Sequence, residues 1–343
     1  MVDKNFCMNS FLMYRYIYDE AFDFGLPHRN IDISHERKPI TNGDELIEIL
    51  RGQFEAATAD GKAALALSGG MDSALLAKFM PEGSTAYTFR CLVPGKKVED
   101  ESIRAAHWAE VCKLNHKVID IYWEDVEAVV DKLMLRKGEP IHSIETQIFL
   151  GAERAVKDGF EKFIFGENAD TIYGGIDSLL SKDWLFGDFV ERYSFVLPYK
   201  VLKKPQMLLK PFQEFELDGH IDPYDFTSKY YHQEAVSSYV NACEAAGIKF
   251  IAPYSLTKLA KPIDYKKIRS GESKYIIREA FRKLYPGEEI PKKIPMPRPV
   301  NEWFENWQGP TREEFLPHCH ETLTGNQRWM VWALERFLNL IES

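Results

Sequence analysis

The stretch LALSGGMDSALLAKF, residues 65–79, constrains this chain more than any other. The run ALALS (64–68) suits a short buried strand, and it ends on a glycine pair. From Met71 the apolar residues Met71, Ala74, Leu75 and Phe79 recur at helical spacing. Glycines at such a junction leave the helix N-terminus open to an approaching group, and its free amides and dipole favour an anion. A plain strand-to-helix turn capped by Ser or Asp also explains a lone glycine pair, so this stretch does not decide by itself.

Its surroundings repeat the pattern. Residues 43–58 read as a helix leading into the strand. Further strands are expected over 84–93, 116–123 and 162–166, with helices over 100–115, 124–137 and 146–159. Such alternation predicts an α/β fold, a parallel twisted sheet with helices on both faces. Ligands of these sheets bind at the carboxyl ends of the strands. The loops 68–73 and 166–175 both fall at such ends and are expected to face one crevice. Beyond about residue 180 aromatics and prolines are dense and the better patterns are helical, as in KYIIREAFRKLYP (274–286), which a proline ends. With no linker in sight, the expected organisation is an N-terminal extension (1–45), an α/β core (46–180) and a mainly helical C-terminal lobe (181–343) that completes the site.

The net charge of -9 argues against a broad nucleic-acid surface. The cysteines Cys7, Cys91, Cys112, Cys243 and Cys319 form no CxxC pair, which suggests reduced thiols and a cytoplasmic protein. His318, Cys319 and His320 stand too close together to close a tetrahedral zinc site alone. The first residues carry acids and aromatics where a signal peptide needs a basic start and an apolar core. No stretch approaches the roughly 20 apolar residues of a membrane span. The amphipathic terminal segment lacks a basic polar face and is expected to dock on the protein's own surface.

Ser68-Gly69-Gly70-Met71-Asp72-Ser73 lacks the spacing and the lysine of the GxxxxGK[ST] phosphate loop. It resembles instead the SGGxDS loop of ATP pyrophosphatases, which cleave ATP between the α- and β-phosphates. FGENADTIYGGID (165–177) resembles the GEGADE-(L/I)-FGGY segment of asparagine synthetases. GIKFIAPY (247–254), SKYIIREAF (273–281) and KIPMPRPVNEWF (293–304) follow in that family's order. The resemblance implies an ATP- and Mg²⁺-dependent amide-forming ligase. Such an enzyme adenylates a small carboxylate such as aspartate and transfers ammonia or another amine to it, releasing AMP and pyrophosphate.

Carried over position by position, it implies a phosphate cradle from Ser68, Gly69, Gly70 and Ser73. Asp72 and Asp170 would hold Mg²⁺, a hard ion that takes oxygen ligands. Glu167 matches the glutamate that assists adenylation and the incoming amine. Lys293 matches the lysine on the departing pyrophosphate, with Lys292 as its neighbour and competitor. Leu67, Cys91, Phe165 and Gly166 match positions around the adenine, although core packing explains such apolar residues too.

Departures from the family narrow what is expected. Residue 2 is Val and Cys7 is internal, so the glutaminase nucleophile at the start of the family's full-length members has no counterpart. Ammonia would then come free or from a separate glutaminase subunit, or another amine would replace it. The family's Ser-Gly-Glu-Gly-Ala-Asp reads Phe165 to Asp170 here, and its next acidic residue is Thr171. The arginine before its Val-Pro-Phe is Ile251, and a flanking glutamate is Lys249. An aliphatic side chain cannot replace a guanidinium that clamps a carboxylate. ATP chemistry is therefore expected, while the acid is left open. Alternatives are another ATP pyrophosphatase reaction, such as a β-lactam-type cyclisation or another amidotransfer, and a silent nucleotide-binding domain. Retention of Asp72, Glu167, Asp170 and Lys293 together speaks against the last.

Overall fold

The computed structural model describes residues 1–28, 31, 36–292 and 296–343. Its main sheet has five parallel strands: β1 (Ala63–Ala66), β2 (Thr85–Cys91), β3 (Asn115–Ile121), β4 (Lys162–Ile164) and β5 (Lys249–Ile251). They lie in the order β3-β2-β1-β4-β5, with Leu65 registered against Ala86 on one side and Ile164 on the other. Central β1 is AALA, apolar throughout, because helices cover both of its faces. Successive side chains along it point to opposite faces, so Ala64 joins one hydrophobic core and Leu65 the other.

The helices that make those layers are, in chain order, α1 (Lys4–Tyr14), α2 (Gly43–Thr58), α3 (Met71–Ala77), α4 (Ser102–Val111), α5 (Trp123–Lys137), α6 (Ser143–Lys157), α7 (Ala169–Tyr173), α8 (His232–Ala246), α9 (Tyr275–Leu284) and α10 (Gly325–Glu342). Leu50 and Phe54 of α2, Leu75 of α3, Trp108 of α4 and Phe281 of α9 fill the core on one face. Val130 of α5, Ile148 of α6, Cys243 of α8 and Trp329 of α10 fill the other. The terminal helix thus docks into the core, as its amphipathic pattern predicted. Among the described residues no helix is long and apolar enough to cross a membrane. All five cysteines are buried free thiols.

Two features lie beyond the sequence reading. The fifth strand comes from past residue 180, so the C-terminal part of the chain is woven into the sheet. A small antiparallel sheet of Trp184–Leu185, Glu216–Leu217 and His220–Ile221 sits among the aromatic-rich segment. Its neighbours Tyr14, Phe189, Tyr193, Phe212 and Phe226 form a third core, with Phe212 stacked on Phe226 at 4.8 Å.

Strand order sets the place of the site. From β1 the chain winds outward to β2 and β3; β4 and β5 then build the other half of the sheet. The reversal falls between β1 and β4, and at such a point the loops after the two strands diverge and leave a crevice.

Candidate active site

Past β1 the ladder continues for one residue, the Leu67 amide donating to the Tyr87 carbonyl at 2.8 Å, and then the chain turns. The Ser68 amide donates to Ser73 Oγ at 3.0 Å, the two serine hydroxyls meet at 2.8 Å, and the Gly70 amide reaches Ser68 Oγ at 3.2 Å. The Gly69 amide donates to Glu101 Oε2 at 3.3 Å. Ser68, Gly69, Gly70 and Ser73 are therefore tied into one network, closed on one side by the buried Glu101. Burial pushes that carboxyl up to about 7. A Cβ at Gly69 would lie 2.8 Å from Arg104 Cβ, and one at Gly166 only 3.3 Å from the Ser73 amide nitrogen. The second contact shows the two expected loops side by side at the carboxyl ends of β1 and β4.

The strongest electrostatic feature of this junction is a lysine. Lys274 Nζ lies 2.9 and 2.6 Å from the two carboxylate oxygens of Asp72 and 3.0 Å from Asp170 Oδ1. Burial opposes its charge, but the carboxylates of Asp170 and Asp72 outweigh burial and hold the ammonium well above its ordinary range. Lys274 is a left-handed residue (φ 52°) immediately before α9, and a cation at a helix N-terminus opposes the dipole. Backbone and charge are both strained there, as functional positions tolerate. Gly175 makes the approach possible, since a Cβ there would lie 2.2 Å from Asp170 Oδ1 and 2.7 Å from Lys274 Cδ. Buried Tyr254 donates to the Asp72 carbonyl at 2.9 Å and fixes the first turn of α3. Two carboxylates converging on one positive centre are a donor set that suits Mg²⁺. Asp72 and Asp170 thus fit the expected ion and would divide their negative charge between it and Lys274.

The loop after β4 explains one departure from the family. Asn168 has φ 71°, the left-handed region where the family's motif has glycine, and asparagine is among the side chains that tolerate it. Its amide donates to Ser255 Oγ. Thr171 is buried, with its hydroxyl 3.1 Å from the Asn168 carbonyl and 3.3 Å from His232 Nδ1. It secures the loop where an acidic residue was the family's choice.

Glu167 is half-buried beside these groups. Desolvation pushes its carboxyl up to about 7; Asp170 and Glu234 act in the same direction, while the Asn168 amide and the Tyr239 hydroxyl oppose them. Tyr239 belongs to α8, and Tyr231 ends the π-helical turn Thr227–Tyr231 that precedes it. Turns of that kind often accompany functional sites.

Three of the four expected adenine positions are part of the core, while Gly166 is half-buried. Leu67, Cys91 and Phe165 are all buried, Phe165 packs on Phe163 at 4.6 Å, and Cys91 Sγ accepts from Gln147 Nε2 at 3.0 Å. Lys293 lies outside the described residues. Lys292 is exposed, and its carbonyl accepts from Arg104 Nη1 at 2.6 Å. Ile251 lines a cavity of about 630 Å³ along β5 with His232, Phe250 and Leu256. No residue of the loops 68–73 and 166–175 lines that cavity.

Sequence reasoning did not single out Lys274, Arg104 or Tyr239. For Lys274 a signal existed, a lysine opening an amphipathic helix, where the dipole makes a cation costly without nearby acids.

A sequence model of the family described as asparagine synthase matches residues 46–318. No curated protein matches the chain. Among solved structures, an NH3-dependent NAD synthetase from Campylobacter jejuni is similar at 17% identity, with a TM-score of 0.27. That match covers 39% of this chain and 61% of the other, so the chain spans less than two thirds of it. An NMN synthetase from Francisella tularensis is similar at 12% identity and a TM-score of 0.30, covering 75% of this chain and 100% of that one.

Proposed function

Because the chain belongs to the asparagine synthase family, we propose that it is an ATP- and Mg²⁺-dependent ligase. It activates a carboxylate as the acyl-adenylate and passes the acyl group to ammonia or another amine, with AMP and pyrophosphate as products. The observation that carries this reading is the meeting of Asp72, Asp170 and Lys274 where the loops after β1 and β4 touch, with Glu167 alongside.

A carboxylate is too poor an electrophile for an amine, so one substrate, ATP, must first be cleaved between its α- and β-phosphates. Negative charge then grows on pyrophosphate, and preorganised cations and donors stabilise it. Mg²⁺, when bound, adds charge at the phosphates. Lys274 contributes a fixed ammonium, Ser68 and Ser73 contribute hydroxyls, and Lys293 is assigned to the same leaving group. Glu167 takes the proton that the attacking nitrogen must lose. Cys7 is fully buried and burial pushes its thiol up, so it is no glutaminase nucleophile. Nitrogen enters as ammonia, from a separate glutaminase subunit or as another amine.

The role of Glu167 has a pH signature. Because desolvation raises this acid to about 7, the fraction able to accept a proton grows as pH rises through that value. At saturating amine, kcat is expected to climb with pH and level off above about 7, and Glu167→Gln to lose about 100-fold. A flat wild-type profile across this range, or a fully active glutamine variant, removes Glu167 from the proton transfer.

The function itself is tested by pyrophosphate release from ATP and Mg²⁺ with a panel of carboxylates and ammonium. Release that depends on the acid is expected, and no release with any acid contradicts the proposal.

A further inference from the structure

The main sheet ends on two edge strands, and they are unlike. On one side β5 has three residues; on the other, β3 pairs with β2 through all seven of its residues. The Asn115 amide donates to the Ser84 carbonyl at 2.9 Å, and the Leu92 amide donates to the Ile121 carbonyl at 2.8 Å. In a parallel ladder these bonds fix the phase of the whole strand. The odd-numbered residues of β3 turn their N–H and C=O groups to β2. His116, Val118 and Asp120 turn theirs outward, and among the described residues none of these groups has a hydrogen-bond partner.

Proteins usually blunt such an edge with a short strand, a proline, a bulge or exposed charge. Strand β3 has none of the first three: its register runs unbroken and NHKVIDI contains no proline. Its charges are answered within the chain. Lys117 Nζ donates to Asp158 Oδ2 at 2.8 Å, and Arg90 grips both carboxylate oxygens of Asp120 at 2.6 and 3.0 Å. Between them Val118 stays 40% exposed, an apolar side chain in the middle of the edge. The outward groups also complement themselves. In antiparallel pairing of β3 with its own copy, only a two-fold axis at Val118 maps His116, Val118 and Asp120 onto one another. A shift of the axis along the strand brings in Leu114 or Tyr122, whose amides are already given to the Ala109 carbonyl and to Asp125 Oδ2, each at 2.8 Å. With the axis at Val118, valine meets valine, His116 stands opposite Asp120, and no like charges face each other.

We propose that the chain forms a two-fold dimer in which β3 pairs antiparallel with β3 of a second copy, centred on Val118. Every outward N–H of the edge then meets a C=O, and two five-stranded sheets become one continuous sheet. A second copy suits this edge because the strand is its own complement in backbone phase and in charge. The carboxyl ends of the strands point opposite ways in the two copies, so each copy keeps its own cleft between β1 and β4. The dimer does not depend on the ligase reading and is tested without turnover.

Sedimentation of the full chain over a range of concentrations is expected to give twice the mass of one chain. Val118→Lys and Val118→Asp each bring like charges together at the axis and should weaken the dimer by about 100-fold or more, with circular dichroism unchanged. An equimolar mixture of the two variants sets lysine against aspartate and should restore the dimer. Hydrogen exchange in the wild type gives a readout even if both variants misfold. The amides of His116, Val118 and Asp120, which have no partner within one chain, should be protected in the dimer. A wild type that stays monomeric at every concentration, or a dimer that both folded variants leave intact, overturns the proposal. So does a mixture of folded variants that stays monomeric, or a dimer whose three edge amides exchange without protection.

Discussion

Lys274→Met is expected to lower kcat for pyrophosphate release by about 1000-fold, the upper end for one preorganised charge-stabilising contact. Its ammonium touches Asp72 and Asp170 from a position where burial and the dipole of α9 both oppose a cation. A structural salt bridge would be simpler to build with the lysine elsewhere on the helix. The charge is held where a leaving pyrophosphate would develop its own, and a contact that strengthens as the bond breaks acts on kcat more than on KM. The variant also leaves two carboxylates facing each other, so each should become harder to ionise. Circular dichroism and a thermal melt separate lost chemistry from lost fold. A folded Lys274→Met protein within 10-fold of the wild type, well below the effect of one such contact, would make the lysine structural only.

Asp72→Asn and Asp170→Asn are each expected to reduce Mg²⁺-dependent pyrophosphate release by about 1000-fold or more while the fold persists. Each replaces a metal-competent carboxylate by an amide of nearly equal volume. Asp72 sits in the first turn of α3, held by Tyr254 through its carbonyl, and that bond does not depend on the side chain. Asp170 lies in the first turn of α7. Because each variant leaves Lys274 one carboxylate, the ammonium keeps a partner and gross unfolding is not expected. The decisive comparison is turnover as a function of Mg²⁺. Near-normal activity in either variant, with unchanged circular dichroism, rules out the metal assignment.

Much of the fold was legible because burial on both faces of a sheet leaves a simple trace. Helix α2 runs over the predicted residues 43–58, and β2, β3 and β4 fall at the expected apolar runs. Strand β5, Lys249–Ile251, has the same three residues, KFI, as β4, but it lies past residue 180, outside the region where strands and helices alternate, and that context did not point to the sheet. The two-residue strands of the small sheet leave no pattern at all. Both loops of the site were visible because glycine spacing records close backbone approach, as the contact between Gly166 and Ser73 shows. Lys274 escaped because Asp72 stands 202 residues away, and only tertiary structure joins them. Asn168 read as a departure from the family's glycine; its left-handed backbone shows a conservative replacement.

The most direct test of the adenylation chemistry follows an oxygen atom. The acid that supports turnover is labelled with oxygen-18 in its carboxylate and incubated with ATP, Mg²⁺ and ammonium, and the phosphorus products are analysed by mass. Attack of the carboxylate on the α-phosphorus, followed by amide formation, leaves a carboxylate oxygen on AMP, so label is expected in AMP and none in pyrophosphate. Label in inorganic phosphate with ADP as the nucleotide product would mean attack at the γ-phosphorus, and it would contradict the assignment of the SGGMDS loop and the Asp72–Lys274–Asp170 cluster to α–β cleavage.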